Sequence, residues 1–220
     1  MNIPQPEQPA HSPFDTETWA LLPDYFAALP NPVRLHIWAD PQASLGEREA
    51  VRLGQALSER FDKIEMAVFP RRMNYAYYPV IGVFGIENED AVDYGVRLIG
   101  LPAGFQMTSL IAAIQAVAFQ GVTLEPATRI KMRQLAVDVR LELLTAGADE
   151  AGTLLAKIAF GLAVASPFVR TFLIMADVFP EVSTRYSVKE LPHLVINGSF
   201  HSEAQLDEQG FLRQIARAVS

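Results

Sequence analysis

The order of secondary structure indicated by this sequence occurs twice, and that repeat constrains the fold more than any other feature. In each half, a strand, a helix and a second strand are followed by two more strands and a closing helix. Pro79 and Pro192 occupy equivalent places, each directly before the third strand of its half. Strands that alternate with helices are typical of an α/β fold. The sequence therefore predicts two domains of like topology, which a chain of 220 residues is long enough to form.

The first half begins with a polar, proline-rich stretch over 1–13, which predicts a disordered tail. Asp15 is a candidate N-cap for a first helix, in which Pro23 should produce a kink or a break. A polar stretch over 87–90 is predicted to form a hairpin turn. Apolar periodicity predicts the remaining elements as strands over 33–38, 63–69, 80–85 and 94–99, and as helices over 45–60 and 104–119.

The second half follows a linking helix predicted over 124–135. Asn197-Gly198 is a hairpin-turn signal between its last two strands. The periodicity predicts strands over 138–144, 169–175, 193–197 and 200–205, and helices over 151–165, 179–186 and 207–219. The break between the halves is expected near 121–125, so that the two domains cover residues 14–121 and 122–220.

The charge and hydropathy of the chain exclude several classes of partner. The formal net charge is -7, whereas a nucleic-acid-binding protein would favour a basic stripe. No apolar run reaches the length of about 20 residues that a membrane-spanning helix needs. The N-terminus lacks the basic start and apolar centre of a signal peptide, so a cytoplasmic location is expected. We therefore expect neither a nucleic-acid partner nor a membrane span.

The sequence carries no motif for a metal, a nucleotide or another cofactor. Neither G-x-x-x-x-G-K-[ST] nor G-x-G-x-x-G occurs, so nucleotide binding is not expected. His11, His36 and His201 do not have H-x-x-H or H-E-x-x-H spacing, which argues against a metal site. The chain also contains no cysteine. We expect no cofactor.

Four segments in register with the repeat carry a family resemblance. They are N-P-V-R-L over 31–35, Y-G-V-R-L-I-G-L-P-A-G-F over 94–105, D-V-R-L-E-L-L-T over 138–145 and L-P-H-L-V-I-N-G over 191–198. With them the chain resembles tandem thioredoxin-fold proteins, namely the glutaredoxin-like protein disulfide oxidoreductases and the N-terminal redox domain of the alkyl hydroperoxide reductase flavoprotein subunit. The resemblance implies two thioredoxin-like folds, each with a mixed central sheet flanked by helices. It also implies cis peptide bonds before Pro79 and Pro192.

The same resemblance indicates which residues match the redox motif of those families. At these positions the chain lacks the two cysteines. The C-x-x-C of those families matches Ala148, Asp149, Glu150 and Ala151, between a predicted strand and a helix N-terminus. Disulfide exchange needs a thiolate nucleophile and a second, resolving thiol, and an alanine methyl group can act as neither. Either the cysteines were lost naturally, or they were deliberately replaced by alanine. The spacing of the two alanines leaves both alternatives open.

Three acidic residues near this motif are candidates for acid–base chemistry. Glu142 lies six positions before Ala148, where the resemblance implies a buried carboxylate that accepts protons from the resolving thiol. Alternatively, it shares a strand face with Asp138 and Arg140 that is solvated or lies between the domains. Asp149 and Glu150 suit the first turn of a helix, where its dipole favours negative charge. No histidine or further acid lies nearby in sequence to complete a catalytic site with them.

The two prolines predict a binding groove rather than a reactive group. Tyr78 and Pro79 in the first half, and Leu191, Pro192 and His193 in the second, are the candidate groove residues. In thioredoxin-like folds this loop borders a groove that holds an extended peptide by main-chain pairing. Exposed tyrosines there would suit protein recognition. Packing in the core or between the domains is the alternative role for these aromatic side chains.

These observations predict a redox-inactive tandem thioredoxin-fold protein that acts by binding. Its partner would be another protein or a second copy of itself, so that the chain would serve as a subunit of an assembly. The alternative is a disulfide oxidoreductase, or an electron carrier for peroxide reduction, whose two cysteines have been replaced. In that case Ala148 would stand for the nucleophile and Ala151 for the resolving thiol.

Overall fold

The computed structural model describes residues 16–202 and 206–220 of the chain. The predicted tail over 1–13, the candidate cap Asp15 and the last three residues of the strand predicted over 200–205 lie outside the described residues.

Helices and strands alternate as the repeat predicts, and most of their bounds agree closely with the sequence pattern. The first half comprises α1 (Thr16–Phe26), β1 (Val33–Trp38), α2 (Leu45–Arg60), β2 (Ile64–Phe69), β3 (Val80–Glu87), β4 (Asp90–Ile99) and α3 (Gln106–Ala118). After α4 (Pro126–Arg133), the second half comprises β5 (Val139–Thr145), α5 (Glu150–Ala165), β6 (Val169–Met175), α6 (Pro180–Tyr186), β7 (His193–Ile196), β8 (Phe200–Ser202) and α7 (Glu208–Val219).

One mixed sheet of eight strands runs through both halves, in the order β2-β1-β3-β4-β6-β5-β7-β8. In each half the first strand pairs parallel with the second and antiparallel with the third, which pairs antiparallel with the fourth. The halves join where β4 pairs parallel with β6. The predicted mixed α/β fold is thus confirmed, with four strands from each half in a continuous sheet. The boundary between two domains stays a prediction.

The two faces of the sheet are covered differently. Side chains of α1, α2, α3, α5 and α7 pack in one large core against the face that we call the helical face. The opposite face, the aromatic face, carries a smaller core that contains Trp38, Phe84 and Phe172. Residues of the 69–78 segment, of α6 and of the segments on either side of α6 pack against that core, among them Tyr75, Phe179, Tyr186 and Leu191. Loop segments and a short helix thus cover part of the aromatic face.

Helix α1 is continuous through Pro23, so the break considered from the sequence does not occur. Proline has no backbone N–H and cannot donate to the carbonyl of Trp19 four residues earlier. Arg60 Nη1 donates to that Trp19 carbonyl instead, at 2.7 Å. The guanidinium also lies 4.4 Å from the centroid of the Trp19 ring. A side chain from α2 thus takes the place of the hydrogen bond that Pro23 removes.

Strand β4 begins four residues earlier than predicted, at Asp90. Asn88 and Glu89 form the preceding turn with φ angles of 50° and 73°, so the predicted position of the hairpin turn is right. The first part of β4 is exposed or half-buried, and its two aspartates interrupt the apolar pattern from which the strand was predicted.

Candidate functional site

The start of α5, which matches the redox motif, is held by hydrogen bonds within the chain. Asp149 is its N-cap, and its carboxylate accepts from the backbone N–H of Gly152 at 3.0 Å and from Thr145 Oγ1 at 2.8 Å. Glu150 is exposed in the first turn. Both acids therefore have the helix-start positions expected from the sequence, and the Asp149 carboxylate is engaged in capping.

The loop over 146–149 is also fixed by the first half of the chain. The backbone N–H of Phe105 donates to the Gly147 carbonyl at 2.9 Å. The fully buried Gln106 donates through Nε2 to the carbonyls of Ala146 and Asp149, at 3.1 and 2.7 Å. Asp177 Oδ2 accepts from the N–H of Gly147 at 2.9 Å. Sequence reasoning missed Gln106 and Asp177 because they are distant from the motif along the chain.

The alanines at the cysteine-matching positions have different environments. Ala148 is exposed immediately before the N-cap, whereas Ala151 is half-buried in the first turn of α5. Ala151 also lines a cavity of about 550 Å³ between α5 and the start of α7, together with Leu154. A nucleophile at 148 would thus be accessible and a group at 151 partly shielded.

Glu142 is buried, with 4% of its surface exposed, although Asp138 and Arg140 are exposed. Its carboxylate accepts from Tyr186 Oη at 2.7 Å and from Arg140 Nη2 at 3.0 Å. Burial and the hydrogen bond to this carboxylate raise the pKa of Tyr186 to about 12. Glu142 lies on the aromatic face, whereas α5 packs against the helical face. The structure therefore gives Glu142 partners on α6 and β5, and its role as a proton acceptor stays a prediction.

A large open groove lies beside Pro79, whose peptide bond with Tyr78 is cis as the resemblance implies. This Pro79 groove has a volume of about 700 Å³ and lies between the start of α2 and the segment before α6. Its lining is mainly apolar and includes Leu45, Tyr77, Tyr78, Pro79, Val178 and Phe179. Leu45 and Val178 are exposed by 64% and 53%. These apolar surfaces face solvent at the join between the two halves.

The polar wall of the Pro79 groove is an ion pair between Glu47 and Arg71. Glu47 is 1% exposed and accepts from Arg71 Nε at 2.9 Å and Nη2 at 2.5 Å, and from the N–H of Asp40 at 2.7 Å. Burial alone would raise the pKa of the Glu47 carboxyl. The hydrogen bonds from Arg71, Asp40 and Ser44 outweigh that effect and hold the pKa below its ordinary value.

The aromatic wall of the groove is fixed by contacts that the sequence did not indicate. Tyr77 stacks on Phe179 with ring centroids 4.8 Å apart, so a side chain from each half contributes. The Tyr78 hydroxyl donates to the backbone carbonyl of Arg72. The tyrosines therefore serve both as packing residues and as groove lining.

The candidate groove residues of the second half lie elsewhere. The Leu191-Pro192 bond is also cis, and both residues are half-buried. His193 is 3% exposed, and its Nε2 lies 2.9 Å from Nδ1 of His201. These residues precede or begin β7, which is separated from β3 by three strands of the sheet, and they do not line the Pro79 groove. The candidate groove residues of the two halves thus lie in two separate places, and a binding groove at Pro192 stays a prediction.

Across residues 16–202 and 206–220, no group of three or more acidic or histidine side chains is arranged to hold a metal ion. None of the helices in this described part is long and apolar enough to cross a membrane.

No protein-family model matches this sequence, and no curated protein matches it. Solved structures do match its fold. The NTD_N/C domain of the alkylhydroperoxide reductase AhpF from Enterococcus faecalis has a TM-score of 0.82 at 16% identity, over 91% of this chain and 98% of that chain. A protein disulfide oxidoreductase from Aeropyrum pernix K1 has a TM-score of 0.72 at 19% identity, over 84% of each chain. Sso1120 from Sulfolobus solfataricus has a TM-score of 0.61 at 12% identity, over 81% of this chain and 94% of that chain.

The fold is therefore thioredoxin-like. The first two of these structures belong to the two groups of proteins that the sequence resembles, so the predicted resemblance is confirmed. At such low identities, the similarity establishes the fold alone.

Proposed function

We propose that this chain is a redox-inactive thioredoxin-fold protein that binds an extended segment of another protein in the Pro79 groove. The observation that carries this proposal is the open, mainly apolar groove of about 700 Å³ that borders the cis-proline loop. A chain without cysteine has no thiolate to attack a disulfide. Binding is then the function that the fold can still support, and a cytoplasmic location remains part of the proposal.

The backbone beside the groove supports binding by strand addition. Ala76 is exposed, and Tyr77 and Tyr78 are half-buried. In the described part of the chain, the backbone N–H groups of these three residues have no hydrogen-bond acceptor. A peptide laid along this segment would supply carbonyl groups to them, while its apolar side chains would contact Leu45 and Val178.

Co-purification from the native host tests this proposal directly. We expect the wild-type chain to retain a protein partner, and Leu45→Glu and Val178→Glu to lose it, because a carboxylate would be desolvated in the apolar groove. Ile130→Glu is the matched control, since Ile130 is 58% exposed on α4 and does not line the groove. Retention of the same partner by all three variants would contradict the proposal.

The second candidate function is that of a disulfide oxidoreductase with its cysteines replaced. It is favoured by the exposure of Ala148 next to the N-terminus of α5, where the helix dipole would lower a thiol pKa. The codons at 148 and 151 in the source genome distinguish natural alanines from introduced ones. If the Ala148→Cys/Ala151→Cys variant reduces insulin above background, the site is competent. If this variant reduces insulin no faster than background, the second candidate function is excluded.

A further inference from the structure

A small cavity on the aromatic face brings arginines from three strands together. It has a volume of about 120 Å³ and is lined by Asn74, Tyr75, Arg97, Arg140, Arg170 and Phe172. Arg97 lies on β4, Arg170 on β6 and Arg140 on β5, so the cavity spans the join between the two halves. Such convergence of cations contrasts with the overall net charge of -7.

Two of these guanidinium groups are held in fixed orientations. Arg97 is 5% exposed and donates from Nη2 to Asp93 at 2.5 Å, from Nε to Tyr75 Oη at 3.0 Å and from Nη1 to the Val96 carbonyl at 2.9 Å. Arg140 donates to Glu142 and lies with its Cζ 3.7 Å from the centroid of the Phe172 ring. Since a guanidinium has five N–H donors, both arginines keep donors without an intramolecular acceptor.

Arg170 has no ion pair or hydrogen bond to any residue of the described chain, although its charge also helps to lower the pKa of Asp93. It is the register partner of Arg140 in the parallel pairing of β5 with β6, so the two like charges repel each other. The carboxylates of Asp93 and Glu142 balance two of the three arginines and leave one positive charge in excess. A bound anion would relieve this repulsion.

A neighbouring histidine lies near the same positive charges. His36 lies on the same face, its ring stacked on Phe84 with centroids 4.0 Å apart. Burial, and then the charges of Arg34 and Arg97, lower the pKa of His36. The cationic character of the aromatic face thus extends from the cavity toward β1.

We propose that this cavity, the arginine site, binds a small oxyanion of the phosphate class. Guanidinium groups match phosphate oxygens in geometry and charge. A tetrahedral, multiply charged oxyanion offers acceptors in several directions, as three arginines on different strands require, whereas a carboxylate has only two oxygens. The formal net charge of -7 argues against a nucleic acid as the source of the phosphate. The anion would contact Arg97 of the first half and Arg140 and Arg170 of the second, and would so stabilise their association.

Thermal unfolding and titration calorimetry of the full chain with inorganic phosphate, at constant ionic strength in chloride, test the site. We expect saturable binding that raises the melting temperature. Arg170→Gln should weaken this binding about tenfold or more, because it removes charged donors without removing an internal hydrogen bond or ion pair. Arg213→Gln is the control, since Arg213 is exposed on α7 and makes no ion pair within the described residues. Gly95, which adjoins the cavity, should show a shifted amide resonance.

Phenyl phosphate, sulfate and acetate distinguish the sources of the oxyanion. Binding of inorganic phosphate or sulfate supports a site for the free ion, and binding of phenyl phosphate alone supports a site for a phosphate ester. The proposal is wrong if neither inorganic phosphate, sulfate nor phenyl phosphate binds saturably at millimolar concentration. It is also wrong if acetate raises the melting temperature as much as phosphate does, or if Arg170→Gln and Arg213→Gln have equal effects.

Discussion

The two halves repeat one topology, yet they use the start of their equivalent helices in different ways. At the start of α2, Glu47 is paired with Arg71 beside an open groove. At the start of α5, the loop over 146–149 is bonded to Phe105 and Gln106 of the other half. The start of α2 therefore borders the larger groove, whereas the loop before α5 is bonded to the other half of the chain. The two halves therefore share a backbone topology, but the starts of α2 and α5 make different contacts.

The contact between Gly104 and the loop over 146–149 gives the largest expected effect on stability. Gly104 has a φ of 55°, and a Cβ atom there would lie 2.4 Å from the Gly147 carbonyl oxygen. Gly104→Ala should lower the free energy of unfolding by about 3 kcal/mol, since backbone strain and a backbone clash add. Urea unfolding followed by circular dichroism measures this loss.

Gly198→Ala is the control for that prediction. Gly198 has a φ of 72°, but a Cβ atom added to it would have no neighbour within 4 Å, so only backbone strain of about 1 kcal/mol is expected. Equal losses for the two variants would mean that the contact between the halves at Gly104 adds nothing to stability.

Substitution of Glu47, the buried acid of the first half, should have the next largest effect on the free energy of unfolding. Glu47→Gln removes a buried charge with four hydrogen bonds and should cost about 2 kcal/mol at neutral pH. Because the folded-state pKa lies below the ordinary 4.5, ionised Glu47 contributes stability above that pH and loses it as the pH falls through the folded pKa. The variant should therefore lose less stability on acidification than the wild type. Glu49 forms an ion pair with Arg52 on the surface of α2. Glu49→Gln should therefore change little in the free energy of unfolding at neutral pH or in its loss on acidification.

The buried acid of the second half is held more weakly, by a phenol and a half-exposed arginine. Tyr186→Phe should cost about 1 kcal/mol, since Glu142 keeps Arg140 as a donor. The folded-state pKa of Tyr186 is raised from 10.0 to about 12, so its contribution is complete below pH 10 and is lost as the pH rises through 12. The difference between the ultraviolet pH titrations of the wild type and of Tyr186→Phe measures the ionisation of this phenol. A midpoint at or below pH 10.0 for Tyr186 would contradict the buried pair.

The sequence predicted most of the fold because helices and strands depend on local periodicity. The bounds of α2 and β6 agree residue for residue with the prediction, since buried apolar side chains recur through both elements. The continuity of α1 could not be predicted in this way. It depends on Arg60, which replaces a hydrogen bond to Trp19 across 41 positions of sequence.

The candidate site was predicted less completely, for the same physical reason. Asp149 as an N-cap follows from local sequence, and its contacts are local. Gln106 bonds to the loop across 40 and 43 positions, and Asp177 across 30. The sequence pattern places Tyr78 and Pro192 at equivalent positions of the two halves, and the strands that follow the two prolines are not neighbours in the sheet. The local sequence identified the loops before Pro79 and Pro192. The distance between these loops follows from the order of the strands in the sheet, which the local sequence does not contain.

Two exposed leucines provide the finest test of the difference between the halves. Leu45 at the start of α2 and Leu154 in the second turn of α5 are exposed by 64% and 63%, so either Leu→Ser change should alter stability by less than about 0.5 kcal/mol. Leu45→Ser should weaken binding of the co-purified partner about tenfold, because a leucine buried by a peptide loses that apolar contact. Leu154→Ser should leave the partner's dissociation constant unchanged. The reverse result, measured by calorimetry, would move the binding surface to the cavity beside α5 and make the second half the one that recognises the partner.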